Sequence, residues 1–267
     1  MAVIREATLA TKDGKVHFLT GGLGREAVLL LHPMGSSCRA WSKVIDTLAD
    51  RYPVYALDML GQGDSAKPRR DYSIADYARS VLNFMQATAL PRATVIGNSV
   101  GAMLAAQIAV LEPRKVRKLA LVGVPAWTDE ERSERRGLMA QSLNPDGSAK
   151  AATLEDLKAS WAHPTPELLL QINSDRAKVG TWHKNAMAAI MDCDIRAVLK
   201  QVRAPTLVVY GEKDMLRNHE QFVVESIPGS RLALVPDAGH VPQMENPKGF
   251  LELVLPFLEK TPVEAGA

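Results

Sequence analysis

The sequence predicts an α/β fold: a mostly parallel sheet covered by helices on both faces, with an all-helical segment inserted into it. Three features predict this. Short, continuous apolar runs alternate with longer stretches of helical period, which is how parallel strands buried on both faces and joined by helices read. One strand–turn–helix junction, near Thr94 to Leu111, is unusually rich in small residues. The alternation then stops at Trp127 and resumes only at Ala204-Pro205.

Taken in order, Val3 to Leu9 and Val16 to Thr20 predict an opening antiparallel pair with its turn at Asp13-Gly14. The buried strands follow as apolar runs at Val28 to Leu31, Val54 to Leu57, Thr94 to Ile96, Lys118 to Val122, Thr206 to Tyr210 and Leu232 to Val235. Between them, Ala40 to Asp50 and Ile74 to Ala87 place apolar residues at helical spacing. Ser99 to Leu111 does the same, and its Gly101, Ala102, Ala105 and Ala106 permit close packing on a sheet. Phe250 to Glu259 reads as a closing helix. The strand-free stretch carries helical patterns at roughly 129–141, 153–161, 165–178 and 181–192, with a loop at Asn144 to Gly147. Residues 127–195 are therefore expected to form a helical cap, and residues 1–126 with 196–267 the core domain. The ends of the strands, where such a cap would sit, are where sheets of this kind bind ligands.

Bulk properties narrow the function. The 267 residues are 46% hydrophobic, enough for a sizeable core. Net charge is +2, and no basic stripe with interleaved aromatics is present, so nucleic acid is not expected as a partner. No run approaches 18 apolar residues, and early charges interrupt the N-terminus, so neither a membrane span nor a signal peptide is expected; the expected location is the cytoplasm. Cys38 and Cys193 match no metal or redox spacing and are expected to be free thiols. There is no P-loop, no dinucleotide fingerprint and no H-E-x-x-H, so no cofactor and no metal are expected.

The chemistry concentrates at the ends of strands. Gly97-Asn98-Ser99-Val100-Gly101 follows a strand and opens a helix. A serine on that turn needs a strained backbone and small neighbours; the turn lifts its hydroxyl, and the helix N-terminus favours developing negative charge. A serine nucleophile needs a base, and the base an orienting acid. Of six histidines, His240 stands just after the last strand, in Asp237-Ala238-Gly239-His240-Val241-Pro242. Asp214 stands just after the preceding strand. Asp129 is the alternative acid, but it belongs to a charged run, Asp129 to Arg132, of the kind that is usually solvated. Leu31-His32-Pro33-Met34-Gly35 follows another strand; His32 reads as a structural brace for that loop. Within the insertion, Trp127, Met139, Trp161 and Trp182 are candidates to line a substrate pocket.

With these motifs the chain resembles a bacterial α/β-hydrolase with a helical cap, over nearly its whole length. Asp58 to Ser65 and Ala204-Pro205-Thr206 fit the same family. The elbow Gly97 to Ala102 is similar to that of meta-cleavage C–C bond hydrolases, and Ala188 to Asp214 to 3-oxoadipate enol-lactonases and related esterases. Two departures stand out: Pro33 replaces the glycine usual after the loop histidine, and Val241 stands where C–C hydrolases usually carry tryptophan. Haloalkane dehalogenases and epoxide hydrolases of this fold use an aspartate at the elbow, and Ser99 argues against both. The order Ser99, Asp214, His240 is the order of the family. The resemblance implies an oxyanion hole of two backbone amides, Val100 after the nucleophile and one from the loop after the strand ending at Leu31; Pro33 has no N–H, which leaves Met34. The expected reaction is hydrolysis of a small, fairly apolar carboxylic ester or lactone. C–C bond hydrolysis, or a ligand sensor that keeps the triad, are the alternatives.

Overall fold

The computed structural model describes residues 2–260. Eight strands form one sheet: β1 (Arg5–Thr11), β2 (Gly14–Gly21), β3 (Ala27–Leu31), β4 (Val54–Leu57), β5 (Ala93–Asn98), β6 (Val116–Val122), β7 (Thr206–Gly211) and β8 (Arg231–Val235). Their order is β1-β2-β4-β3-β5-β6-β7-β8. The first two strands pair antiparallel, β2 pairs antiparallel with β4, and every later pairing is parallel. The central parallel strands read as apolar runs because both faces are covered, whereas the edge strand β8 is exposed at Arg231 and Leu232. Leu29, Val95, Leu121 and Val208 enter one apolar cluster, while their neighbours Leu30, Ile96, Val122 and Val209 enter the other.

The first cluster is roofed by α2 (Ile74–Ala87), α3 (Val100–Leu111), α8 (Ile195–Leu199) and α9 (Glu220–Ser226). The second is roofed by α1 (Ile45–Ala49) and α11 (Pro247–Glu259), whose Trp41-facing Phe250 is fully buried. Between β6 and β7 lie α4 (Asp129–Gln141), α5 (Leu154–Leu157), α6 (Pro166–Val179) and α7 (His183–Asp192). That stretch contributes no strand to the sheet; Leu143 and Ala149 form an isolated bridge across the predicted loop. A last short helix, α10 (Pro242–Glu245), precedes α11. Among the described residues no helix is long and apolar enough to cross a membrane.

Several boundaries differ from the sequence reading. The first strand starts at Arg5, and Val3 is 83% exposed, with no partner face to cover it. The helix expected over Ala40 to Asp50 is divided into a 3₁₀ turn, Cys38–Trp41, capped by the Ser37 hydroxyl, and then α1. The helix expected over 153–161 ends at Leu157, and the chain turns so that the Ser160 carbonyl accepts the His240 N–H at 2.7 Å.

Candidate active site

Ser99 occupies the turn between β5 and α3 with φ +57° and ψ −117°. A non-glycine residue in that region carries strain of about 1–3 kcal/mol, held only because the surroundings over-determine it. Here the Ser99 N–H is tied to the Val122 carbonyl at 2.8 Å. The neighbours must also be small. A Cβ on Gly97 would be driven into the Gly101 carbonyl, and one on Gly101 into the Leu31 carbonyl oxygen. The Ser99 hydroxyl has no hydrogen-bond partner among the described residues.

Asp214 and His240 are carried by the loops after β7 and β8. His240 Nδ1 lies 3.1 Å from each carboxylate oxygen of Asp214. The Asp214 side chain is wholly buried, and its Oδ1 also accepts the Leu216 N–H at 2.9 Å. Gly123, after β6, makes room for the pair: a Cβ there would fall 2.9 Å from both Asp214 Oδ2 and the His240 ring. Asp129 is elsewhere, 82% exposed at the start of α4 and paired with Arg132.

The loop after β3 is braced from behind by His32. Its Nε2 accepts the Met59 N–H at 3.1 Å, so Nδ1 carries the proton and donates to the Pro33 carbonyl at 2.7 Å. Complete burial lowers the imidazole pKa and keeps it neutral. The Gly35 N–H is taken by Gln62 Oε1 at 2.7 Å, whereas the Met34 N–H has no acceptor among the described residues. Val100 opens α3, so its N–H has no intrahelical acceptor.

A cavity of about 160 Å³ opens beside this loop, walled by Met34, Trp161, Leu168, Ile172, Arg176 and His240 among others. Ser99 itself is half-buried and is not part of that wall. Arg176 has no carboxylate within ion-pair distance among the described residues and gives one N–H to the Lys150 carbonyl. Burial lowers its pKa. His183 packs behind Gly35, and burial, then the Arg176 charge, hold its imidazole down to about 4, so it is neutral. A wider cleft of about 610 Å³ lies around Arg70, Arg79 and Lys115, remote from these residues; its Asp76 already pairs with both arginines.

Of the four expected pocket residues, only Trp161 borders the His240 cavity. Trp182 is committed to packing: its ring covers Gly61 and its Nε1 donates to the Tyr77 hydroxyl at 2.8 Å. Trp127 is buried in the first core cluster under the Arg135 guanidinium, and Met139 packs against that cluster. These three do not border the His240 cavity. Trp182→Ala is accordingly expected to lower stability by about 2–3 kcal/mol, toward the low end for loss of a large ring, and to reduce turnover of all substrates alike. Trp161→Ala is expected to change the ranking of acyl groups with little loss of stability. A urea melt and one substrate series on both variants check this.

One group of three potential metal ligands exists among the described residues: His17, Cys38 and Asp58, all buried. Asp58 is already saturated. Its oxygens accept His17 Nδ1 at 2.8 Å and the backbone N–H groups of Cys38 and Asp64 at 2.6 and 2.8 Å. Burial, then the Asp58 charge, push the Cys38 thiol pKa up, away from the thiolate a metal needs. These residues hold the Asp58 to Ser65 loop in place.

A family model described as alpha/beta hydrolase fold matches residues 26–247. The chain belongs to the α/β-hydrolase fold family. Among its relatives, 3-oxoadipate enol-lactonase 2 of Acinetobacter baylyi is 23% identical, over 91% of this chain and 92% of its own length. The 2-hydroxy-6-oxo-6-(2'-aminophenyl)hexa-2,4-dienoic acid hydrolase of Metapseudomonas resinovorans is 27% identical, over 92% of this chain and 88% of its own. The solved enol-lactonase of Burkholderia xenovorans superposes on 95% of this chain and 100% of its own with a TM-score of 0.78, at 19% identity; that likeness is one of fold.

Proposed function

We propose that this α/β-hydrolase cleaves a small carboxylic ester or lactone through an acyl-enzyme on Ser99, with His240 as general base, Asp214 as its orienting acid and residues 127–195 as a cap over the site. The observation that carries this reading is the bidentate approach of His240 Nδ1 to a wholly buried Asp214, at 3.1 Å from both oxygens, with the imidazole at the cavity wall. A buried carboxylate at Nδ1 fixes the tautomer that leaves Nε2 basic and stabilises the imidazolium that forms.

The steps follow from this arrangement. The Ser99 hydroxyl attacks the acyl carbon and its proton passes to His240 Nε2. The C–O bond to the leaving alcohol breaks, and the alcohol takes that proton. Water then attacks the acyl-serine and gives a proton to His240; the acyl C–Oγ bond breaks, Ser99 Oγ takes that proton back, and the acid leaves. The tetrahedral oxyanion of each step accepts from the unengaged N–H groups of Met34 and Val100, each worth roughly 3–4 kcal/mol of barrier. Serine and histidine are not hydrogen-bonded to each other; such links commonly tighten only when substrate arrives.

Arg176 narrows the substrate. A guanidinium in a cavity wall with no carboxylate in ion-pair contact favours an acyl group bearing its own anion, against the competing charges of Asp156 and Asp175, which line the same cavity. Two relatives are named for an oxoadipate and a dienoic acid, which agrees. The test is a panel of neutral and carboxylate-bearing nitrophenyl esters and lactones, with a vinylogous diketo acid for C–C cleavage. Ester or lactone turnover that Ser99→Ala abolishes is expected. Arg176→Met should lower kcat/KM for the anionic members by about 30-fold, equivalent to about 2 kcal/mol, and spare the neutral ones. Turnover confined to the diketo acid would favour the C–C reading, and ligand binding with negligible turnover would favour a sensor.

A further inference from the structure

His240 is held by its backbone as firmly as by its ring, and the cap supplies part of that hold. The Gly239 N–H donates to Glu245 Oε1 at 2.9 Å, the His240 N–H donates to the Ser160 carbonyl at 2.7 Å, and Asn98 Nδ2 donates to the His240 carbonyl at 3.0 Å. Gln243 Nε2 in turn donates to Asn98 Oδ1 at 3.1 Å and fixes that amide. The same Glu245 reaches the helical segment: its Oε2 accepts the Ala162 N–H at 2.6 Å and the His163 N–H at 3.3 Å. One carboxylate thus joins the loop of the base to the turn that follows α5.

Two further facts show how close this joint is. Residue 239 has no room for a side chain, since a Cβ would lie 2.5 Å from the Ser160 oxygen, 2.9 Å from the Ala162 nitrogen and 3.0 Å from Glu245 Oε1. Glu245 has no cationic partner among the described residues, so backbone N–H groups alone satisfy its charge. Only a carboxylate presents acceptors on both oxygens; an amide would turn its NH₂ toward one set of donors. Burial raises the Glu245 pKa, which marks the joint as poorly solvated. The neighbouring Asp237, which pairs with His163 at 2.9 Å and with Lys213 at 2.5 Å, is exposed, and such pairs add little.

We propose that Glu245 is a positioning residue that clamps the Ser160–His163 corner of the cap onto the Gly239–His240 loop, so that this corner is part of the mounting of the base rather than a moving edge of a lid. The proposal rests on the reading of His240 as the base, but the clamp has its own readout. With the clamp intact, the two segments open together or not at all. Without it, the His240 backbone is held only by Asn98 and the Ser160 bond, and the imidazole loses its alignment with Ser99. A misplacement of about 1 Å at such a group can cost on the order of 10²-fold in rate.

The experiment uses Glu245→Ala and Gly239→Ala, with amide exchange by mass spectrometry on peptides covering 157–165 and 236–246 and with kcat and KM on a small nitrophenyl ester. In Glu245→Ala both peptides are expected to exchange faster together, while α3 peptides stay protected. The value of kcat should fall by about 10- to 100-fold with KM within about twofold. Added formate, filling the vacated carboxylate position, should restore part of kcat. Gly239→Ala should reproduce the joint loosening with Glu245 still present. If Glu245→Ala does not fold, the isosteric Glu245→Gln carries the exchange and kcat readouts, since its NH₂ meets one set of backbone donors. Unchanged exchange, loosening of one peptide without the other, or a kcat loss that formate leaves untouched would each overturn the proposal. Absence of ester turnover in the unmodified protein would count against the Ser99 reading alone, because the exchange measurement still decides the clamp.

Discussion

Asparagine in place of Asp214 is expected to lower kcat on a small activated ester by about 10⁴-fold while leaving the fold intact. The two side chains have nearly the same shape, and the amide oxygen can still accept the Leu216 N–H that Asp214 Oδ1 accepts now. What changes is the face toward the imidazole. The carboxylate meets His240 Nδ1 with an acceptor on both oxygens. An asparagine turned to keep the Leu216 bond presents an NH₂ donor there, which favours the tautomer with its proton on Nε2, and that tautomer cannot take a proton from Ser99. The negative charge that would stabilise the imidazolium is also gone. Asp129→Asn is the control. Asp129 lies on the surface at the start of α4, bonded to Arg132, and its amide variant should keep turnover within about twofold, as expected for an exposed ion pair. Loss of turnover in Asp129→Asn with retention in Asp214→Asn would reverse the assignment.

The second large effect is expected at Gly101. Its Cα faces the Leu31 and His32 carbonyl oxygens across the joint between α3 and β3, and a methyl group would be driven into the first of them. Neither side can yield easily, because Leu31 is a fully buried residue of a central strand and α3 is buried along most of its surface. Gly101→Ala should therefore cost about 3 kcal/mol or more, at the upper end for overpacking, and pull Ser99 off its turn. Gly137, in the exposed helix α4, has nothing within 4 Å of the place a methyl group would take. Gly137→Ala should stabilise by about 0.5–1 kcal/mol. Urea midpoints of the two variants, compared at equal m-value, check both signs. A midpoint for Gly101→Ala equal to that of the unmodified chain would contradict the packing argument.

Both effects trace to features visible in the sequence, and the reason is the same. Strands buried on two faces must be apolar, as Ala27–Leu31 is, so their ends are sharp, and Ser99 and Asp214 stand just beyond two such ends; His240 follows β8, an edge strand exposed at Arg231 and Leu232, and is legible from its place after the last strand. The helix expected over Ala40 to Asp50 shows where periodicity misleads. Ala40, Trp41, Val44, Ile45, Leu48 and Ala49 are all buried, so the pattern reports one buried face correctly, yet the backbone between Trp41 and Ile45 is not continuous α-helix. Trp127, Met139 and Trp182 show a second limit, since a large apolar side chain reads the same whether it meets a cavity or another element. Arg176 was detectable in principle. It falls on the stripe of Leu168, Ile172 and Val179 along α6, where helical spacing calls for an apolar residue. Glu245 gave less signal, because its partners are backbone N–H groups of residues 162, 163 and 239, and no side-chain pattern records them.

Covalent capture tests the proposed nucleophile, Ser99, without any choice of substrate. An alkyl fluorophosphonate reacts with a serine only where a base takes its proton and an oxyanion hole receives the phosphoryl oxygen. The protein is treated with one equivalent, digested and mapped by mass spectrometry, beside Ser99→Ala. The predicted result is a single phosphonyl adduct on Ser99, complete loss of ester turnover in step with labelling, and no adduct on Ser99→Ala. An adduct at another residue, or full ester turnover in Ser99→Ala, would contradict it.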